Sequence, residues 1–245
     1  MKFSAAFIAV AVANDAPIID DDKWYGPGAN GTAVSGPSPR SGKGRNLEES
    51  KERRYDDLVA IAAKLFRKAG LTGKEKFDER KYWTYGCHCL MLGDRPMSDM
   101  GKGKPVDALD NKCKAYKDCQ KCVRETHGDM CIGEFVRYTY RFATKRNAFE
   151  SKNGVGSCER ELFECDLQFA KDTLAQKDVF NEDYHLFWGS GFDNEENCVS
   201  NGGVPVEHQC CGGHNGPYYW TNMVQNQCCD KQGGGQNIIG IDDQC

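Results

Sequence analysis

Two stretches hold the side chains whose types and spacing could do chemistry. The first is Tyr82-Trp83-Thr84-Tyr85-Gly86-Cys87-His88-Cys89. The second opens at Pro105 and runs through Asp107 and Asp110 to Cys113-Lys114-Ala115-Tyr116-Lys117-Asp118-Cys119-Gln120-Lys121-Cys122. His88 lies between two cysteines, and His208 and His214 flank Cys210-Cys211, a donor set of the kind that zinc takes. A cysteine zinc site needs free thiolates. The chain has 14 cysteines, an even number that argues for disulfides and an oxidising compartment. No metal and no other cofactor is therefore expected. Lys112, Lys114, Lys117, Lys121 and Arg124 read as a solvated helix face, and a net charge of −4 gives no nucleic-acid footprint.

These residues must be positioned by helices. Leu109, Cys113, Tyr116, Gln120 and Val123 fall at helical spacing, which predicts a helix over 106–125. It opens after Pro105, with Asp107 and Asp110 where acids suit the helix dipole. Cys158, Leu162, Cys165 and Phe169 predict a second long helix over 158–175. Leu58, Ile61, Ala62, Leu65, Phe66 and Ala69 form the stripe of a helix over 55–69, ended by Gly70. The aromatic run from Phe135 to Phe142 reads as a short strand, a small β-wing or part of a helix, and residues 153–157 as a glycine-rich turn.

The ends differ from the middle. Residues 1–13 read as a secretory signal peptide: Met1-Lys2, an apolar run, then Ala11-Val12-Ala13. Residues 14–50 are rich in Gly, Pro, Ser and Asp and read as a disordered leader or propeptide. They contain the sequon Asn30-Gly31-Thr32, a candidate glycosylation site. Arg53-Arg54 is either a processing site or two solvated arginines. Residues 191–245 carry six cysteines, no helical stripe, and one basic residue against seven acidic ones. They read as a small irregular cysteine-rich module held by disulfides rather than by a core. Residues 51–190 carry 26 basic and 23 acidic residues, so charge is split between the two parts.

The run Tyr85-Gly86-Cys87-His88-Cys89, with Pro105-Val106-Asp107-Ala108-Leu109-Asp110 and Cys113 to Cys119, resembles the calcium loop and catalytic helix of secreted phospholipase A2. The resemblance covers roughly residues 51–190. It implies a mainly α, disulfide-rich fold of two long antiparallel helices pinned by disulfides, with a small β-wing. It implies the pairs Cys89–Cys113, Cys119–Cys165 and Cys131–Cys158, and leaves Cys87 and Cys122 to pair with each other or with the tail. One family disulfide is absent: its two positions are Lys112 and Asp172, a pair expected to touch. The chemistry departs from the family. Tyr116 stands at the catalytic histidine and Lys117 at the calcium-binding aspartate. Leu90 and Leu92 replace loop glycines, and only Gly93 is kept. Asp166 is the one catalytic position retained, and its expected role is a hydrogen bond to the Tyr116 hydroxyl. The tail frame His208-Gln209-Cys210-Cys211-Gly212, Pro217-Tyr218, Cys228-Cys229 is similar to the paired-cysteine repeats of galaxin-type matrix proteins.

Two classes of function follow. One is a secreted non-enzymatic protein, a phospholipase-like scaffold with a structural or binding role in an extracellular matrix or assembly, its partner another extracellular protein or itself. The alternative is a calcium-dependent phospholipase A2, or a lipid-binding protein with residual activity. Some inactive relatives in venoms also carry lysine at the calcium aspartate and damage membranes. They are strongly basic, and this chain is not, so membrane attack is not expected.

Overall fold

The structure, a computed structural model, describes residues 18–27, 56–90, 99, 101–189, 191–200, 207–232 and 234–245. The expected signal peptide, Asn30, Arg53-Arg54, Leu92 and Gly93 lie outside the described residues.

Three long helices form the frame. Helix α1, Asp56–Lys68, has Asp56 and Asp57 in its first turn and Arg67 and Lys68 in its last, both matched to the helix dipole. Helix α2, Ala108–His127, is capped by Asp107, whose side chain accepts from the Asp110 N–H at 2.7 Å. It therefore starts two residues later than the sequence expectation and ends at Gly128. Helix α3, Cys158–Ala175, is capped by Ser157, which accepts from the Arg160 N–H at 3.2 Å. Helices α2 and α3 run antiparallel. Lys112 faces Asp172 at 3.6 Å, Cys119 is bonded to Cys165, and His127 is hydrogen-bonded to Glu161 near the far end. The core fills the space among the three helices. Leu58, Ile61, Leu109, Val123, Leu162 and Phe163 are all fully buried within it.

Four two-stranded antiparallel sheets complete the described residues. Strands β1, Trp83–Tyr85, and β2, Cys89–Leu90, bracket the cysteine turn. Strands β3, Tyr140–Ala143, and β4, Ala148–Ser151, form a hairpin in which Phe142 opposes Phe149. Of the readings open for the aromatic run, its end is therefore strand. Two more hairpins occupy the tail. Strand β5, His208–Gly212, pairs with β6, Tyr218–Asn222, and β7, Asn226–Asp230, with β8, Gln236–Gly240. A short helix α4, Asn194–Asn197, precedes them.

Two sequence expectations are corrected here. The tail is not irregular. Its two hairpins share one register, five pairs each, and each first strand carries Gln-Cys-Cys, eighteen residues apart. A composition of Gly, Asn and Gln hides strands whose order comes from cross-strand bonding rather than from an apolar stripe. Nor is the whole of 14–50 a disordered leader. Residues 18–27 lie against α1 and β3, with Ile19 buried. The average composition of the leader conceals the short apolar anchors Ile19 and Tyr25.

All 14 cysteines are paired. The structure joins Cys89 to Cys113, Cys119 to Cys165 and Cys131 to Cys158, the three pairs that the family frame implies. Cys87 pairs with Cys198 and Cys122 with Cys210, so both leftover cysteines reach the tail. Cys211 then pairs with Cys228, and Cys229 with Cys245. In each Gln-Cys-Cys the first cysteine is bonded backward along the chain and the second forward. Replacing Cys122 and Cys210 together by serine is expected to cost about 2–4 kcal/mol of stability, because it frees a long loop. Thermal unfolding of the non-reduced double variant checks this. Hydrogen exchange should rise in β5 and β6 and stay unchanged in α3.

Candidate functional site: the cysteine turn on helix α2

The site begins with Asp110. Its carboxylate is completely buried in the first turn of α2. One oxygen accepts from the Cys87 N–H at 2.9 Å and the Val106 N–H at 3.0 Å, and the other accepts from the His88 N–H at 2.7 Å. Three backbone donors thus bind the cysteine turn to the helix. The fit requires glycine at Gly86, where φ is +58° and a Cβ would fall 2.5 Å from the Asp110 carboxyl carbon. Tyr85 donates its hydroxyl to Asp107 and stacks on Phe180 with ring centres 5.1 Å apart. Cys89–Cys113 closes the same junction covalently.

Above this turn the chain returns at Gly101 and Gly103. A Cβ at Gly101 would lie 2.8 Å from Lys117 Nζ, 2.8 Å from His88 Nδ1 and 2.9 Å from the Cys87 carbonyl oxygen. Three polar atoms therefore converge where the turn meets α2. His88 Nε2 donates to the Gly103 carbonyl at 3.0 Å, and burial pulls the imidazole below its usual range against the opposing pull of Asp110. Lys117 is 4 % exposed, and its amine has no hydrogen-bond partner among the described residues. Burial lowers the amine to about 7, against the opposing pull of Asp110 and then Asp118. The expectation of a solvated basic face fails at this residue. Lysine reads as a surface residue in sequence, but the segment around Gly101 folds over it. Lys121 is half-buried, with its ammonium 3.7 Å from the Trp220 ring centre of the tail.

The residue next to Lys117, Tyr116, belongs to a closed polar network. Tyr116 donates to one oxygen of Asp166 at 2.7 Å, and Tyr138 donates to the other at 2.6 Å. Gln120 donates to the Tyr116 oxygen at 2.7 Å, and the Tyr116 ring stacks on Phe169 at 4.4 Å. Burial holds the Asp166 carboxyl up at about 7, opposed by the hydrogen bonds from Tyr138 and Tyr116. Tyr138 and Gln120 belong to this site and carried no sequence signal beyond their aromatic and helical runs.

The tail supplies a third group of contacts. Cys198 and Phe192 pack on Cys87, and Asn194 donates to the Gly86 carbonyl at 2.5 Å. Lys102 and Glu195 form an ion pair at 2.9 Å, joining the basic part to the acidic part. His208 meets the Trp220 ring at a tilt of 50°, and no group of three or more potential metal-ligating side chains assembles among the described residues.

Calcium, which the family resemblance implies, does not fit these side chains. The ion takes six to eight oxygen ligands. The three atoms nearest the Gly101 Cβ position are an amine, a ring nitrogen and one carbonyl oxygen, and Asp110 is already engaged by three amides.

No family model matches the chain. Curated proteins do. The chain is 31% identical over 118 residues to group IID secretory phospholipase A2 of Mus musculus, spanning 48% of this chain and 72% of that one. It is 33% identical over 119 residues to a phospholipase A2 of Calliactis polypus, spanning 49% and 64%. It is 30% identical over 132 residues to basic phospholipase A2 homolog 2 of Bothrops asper, spanning 53% and 85%.

The Lys117 environment yields a prediction with a definite sign. A lysine lowered in the folded state to about 7 binds fewer protons there than when unfolded. Stability therefore rises with pH between about 7 and the ordinary lysine range near 10.4, and below 7 the whole cost of a buried charge is present. Lys117→Met is expected to stabilise the protein by about 1–3 kcal/mol, since it removes an unsatisfied buried donor. The gain should be largest below pH 7 and shrink toward pH 10. Urea unfolding of both proteins across that range measures it, and a gain independent of pH would contradict the assignment.

Proposed function

The chain belongs to the secreted phospholipase A2 family, and we propose that it uses the family's scaffold without the family's reaction. In this reading it is a secreted, non-enzymatic protein with a structural or binding role in an extracellular matrix or assembly. Its partner is another extracellular protein or further copies of itself. Among the described residues no helix is long and apolar enough to cross a membrane.

One observation carries the reading. The amine of Lys117 is buried beside the Cys87 carbonyl and the His88 ring, where the family resemblance puts a calcium carboxylate. The reaction also needs a base to take a proton from water. The residue at that position is Tyr116, an acid titrating near 10 in its ordinary state. Its hydroxyl is committed as a donor to Asp166 and as an acceptor to Gln120. These losses fall on one site, so single repairs are not expected to restore it. The tail supports a structural role in a different way. Two hairpins of one register, linked head to tail by disulfides, form a short repeat, an architecture suited to contact along a surface.

No calcium-stimulated hydrolysis of phospholipid vesicles above background is expected from the wild-type protein. The double variant Tyr116→His, Lys117→Asp should stay inactive as well. Restoring a base and one carboxylate leaves Leu90 and Leu92 at positions where the family's loop has glycines, and calcium takes six to eight oxygens. A fatty-acid release assay with and without calcium checks both. Calcium-dependent turnover by the wild type would establish the alternative, a hydrolase, and turnover by the double variant alone would place the deficit outside the loop.

A further inference from the structure

Residues 18–27 run as a strap in the groove between α1 and the free edge of β3, with a turn at Asp22, where φ is +61°. The strap adds to the hairpin edge by main-chain bonds. Tyr25 and Tyr140 exchange two, at 2.8 and 3.0 Å, and the Asp22 N–H donates to the Phe142 carbonyl at 2.8 Å. Its side chains supply anchors. Ile19 is 2 % exposed and belongs to the main core. Lys64 of α1 donates to the Ile19 carbonyl at 2.9 Å and pairs with Asp21, which Lys68 also approaches at 3.7 Å. The Thr144 N–H donates to Asp22 at 3.0 Å, and Thr139 donates to the Pro27 carbonyl. Arg141 lies 4.6 Å from the Trp24 ring centre. At Gly26, φ is +94° and a Cβ would stand 2.1 Å from the Tyr138 carbonyl oxygen, so the backbones touch there.

Backbone pairing to a sheet edge, one buried apolar anchor and a charge pair are the elements by which proteins bind extended peptides. Here every one of them lies within residues 18–27. The chain from residue 1 to residue 86 contains no cysteine, so nothing covalent ties the strap to the core except the peptide chain through residues 28–55. We propose that the groove between α1 and β3 is a peptide-binding site with residues 18–27 as its ligand. The strap then remains bound as a separate polypeptide when the chain is cut between residues 28 and 55. A cut at Arg53-Arg54, the processing site that the sequence offers, yields a two-chain protein rather than a core without its leader. The groove selects a peptide with an apolar residue, an acid two positions on, a turn, and an aromatic–glycine pair, the pattern of Ile19, Asp21, Asp22 and Tyr25-Gly26. The inference is independent of whether the protein hydrolyses lipid.

The test uses the full chain with a specific protease recognition sequence inserted after residue 38. After complete cleavage the pieces are run on a sizing column in native buffer, and the fractions are weighed by mass spectrometry. The strap piece is expected to elute with the core in equal amount and to separate only in denaturant. Ile19→Asp should weaken retention about ten- to a hundredfold, because it replaces a buried aliphatic anchor by a charge. A strap piece that elutes free of a folded core overturns the proposal. A second measurement covers a core that unfolds on cutting. In the uncut protein, Ile19→Asp should speed hydrogen exchange at the Asp22, Tyr25 and Tyr140 amides and leave α2 and α3 protected. Unchanged exchange at those three amides also overturns it.

Discussion

The rest of the site depends on the carboxylate of Asp110. A buried charge is tolerated only when hydrogen bonds replace its water. Three backbone N–H groups do so here, from Cys87, His88 and Val106. Because those donors lie on two separate pieces of chain, satisfying one carboxylate folds the cysteine turn down onto the start of α2. Everything above it inherits its place from that contact: the Cys87 carbonyl, the His88 ring, and the cysteines that reach Cys113 and Cys198. Lys117 lies seven residues further along the same helix, two turns above Asp110, and so meets the underside of this turn.

The two polar centres on α2 differ in how far they are satisfied. Around Asp166 every named partner makes a bond, and two tyrosine hydroxyls and a glutamine close the network on itself. Such a network holds α2, α3 and the chain before β3 in one arrangement. Around Lys117 the amine has burial without a partner among the described residues. The first centre has its hydrogen bonds made, and the second has burial without them.

The tail is joined to this scaffold by covalent bonds more than by a core. Cys87–Cys198 and Cys122–Cys210 span sequence separations of 111 and 88. They are supported by β6 lying on α2, by Trp220 under Lys121 and by the Tyr218 hydroxyl donating to Glu161 at 3.1 Å. Few apolar side chains are buried within the hairpins themselves; Cys211 and Cys229 are. Small segments of this kind are held by disulfides because they cannot bury enough apolar surface.

The sequence by itself determined the elements. The stripes of α1, α2 and α3 were legible because periodicity reports which face of a helix is apolar, while the caps Asp107 and Gly128 put both ends of α2 two residues later than the stripe did. The even cysteine count was legible as pairing, and Tyr116, Lys117 and Asp166 could be compared with a family position by position. The paired cysteines of the tail were legible as a repeat, but the strands that carry them were not, because they have no apolar alternation. Tertiary structure alone decided what covers each face. It buried Lys117, because the segment carrying Gly101 folds over a helix surface that the sequence marks as basic. It sent Cys87 and Cys122 to the tail, and it drew residues 18–27 out of a polar leader onto the edge of β3. Local sequence fixes the backbone preference of a segment and the polarity of its faces. Which distant segment lies against a face depends on contacts that no local pattern records.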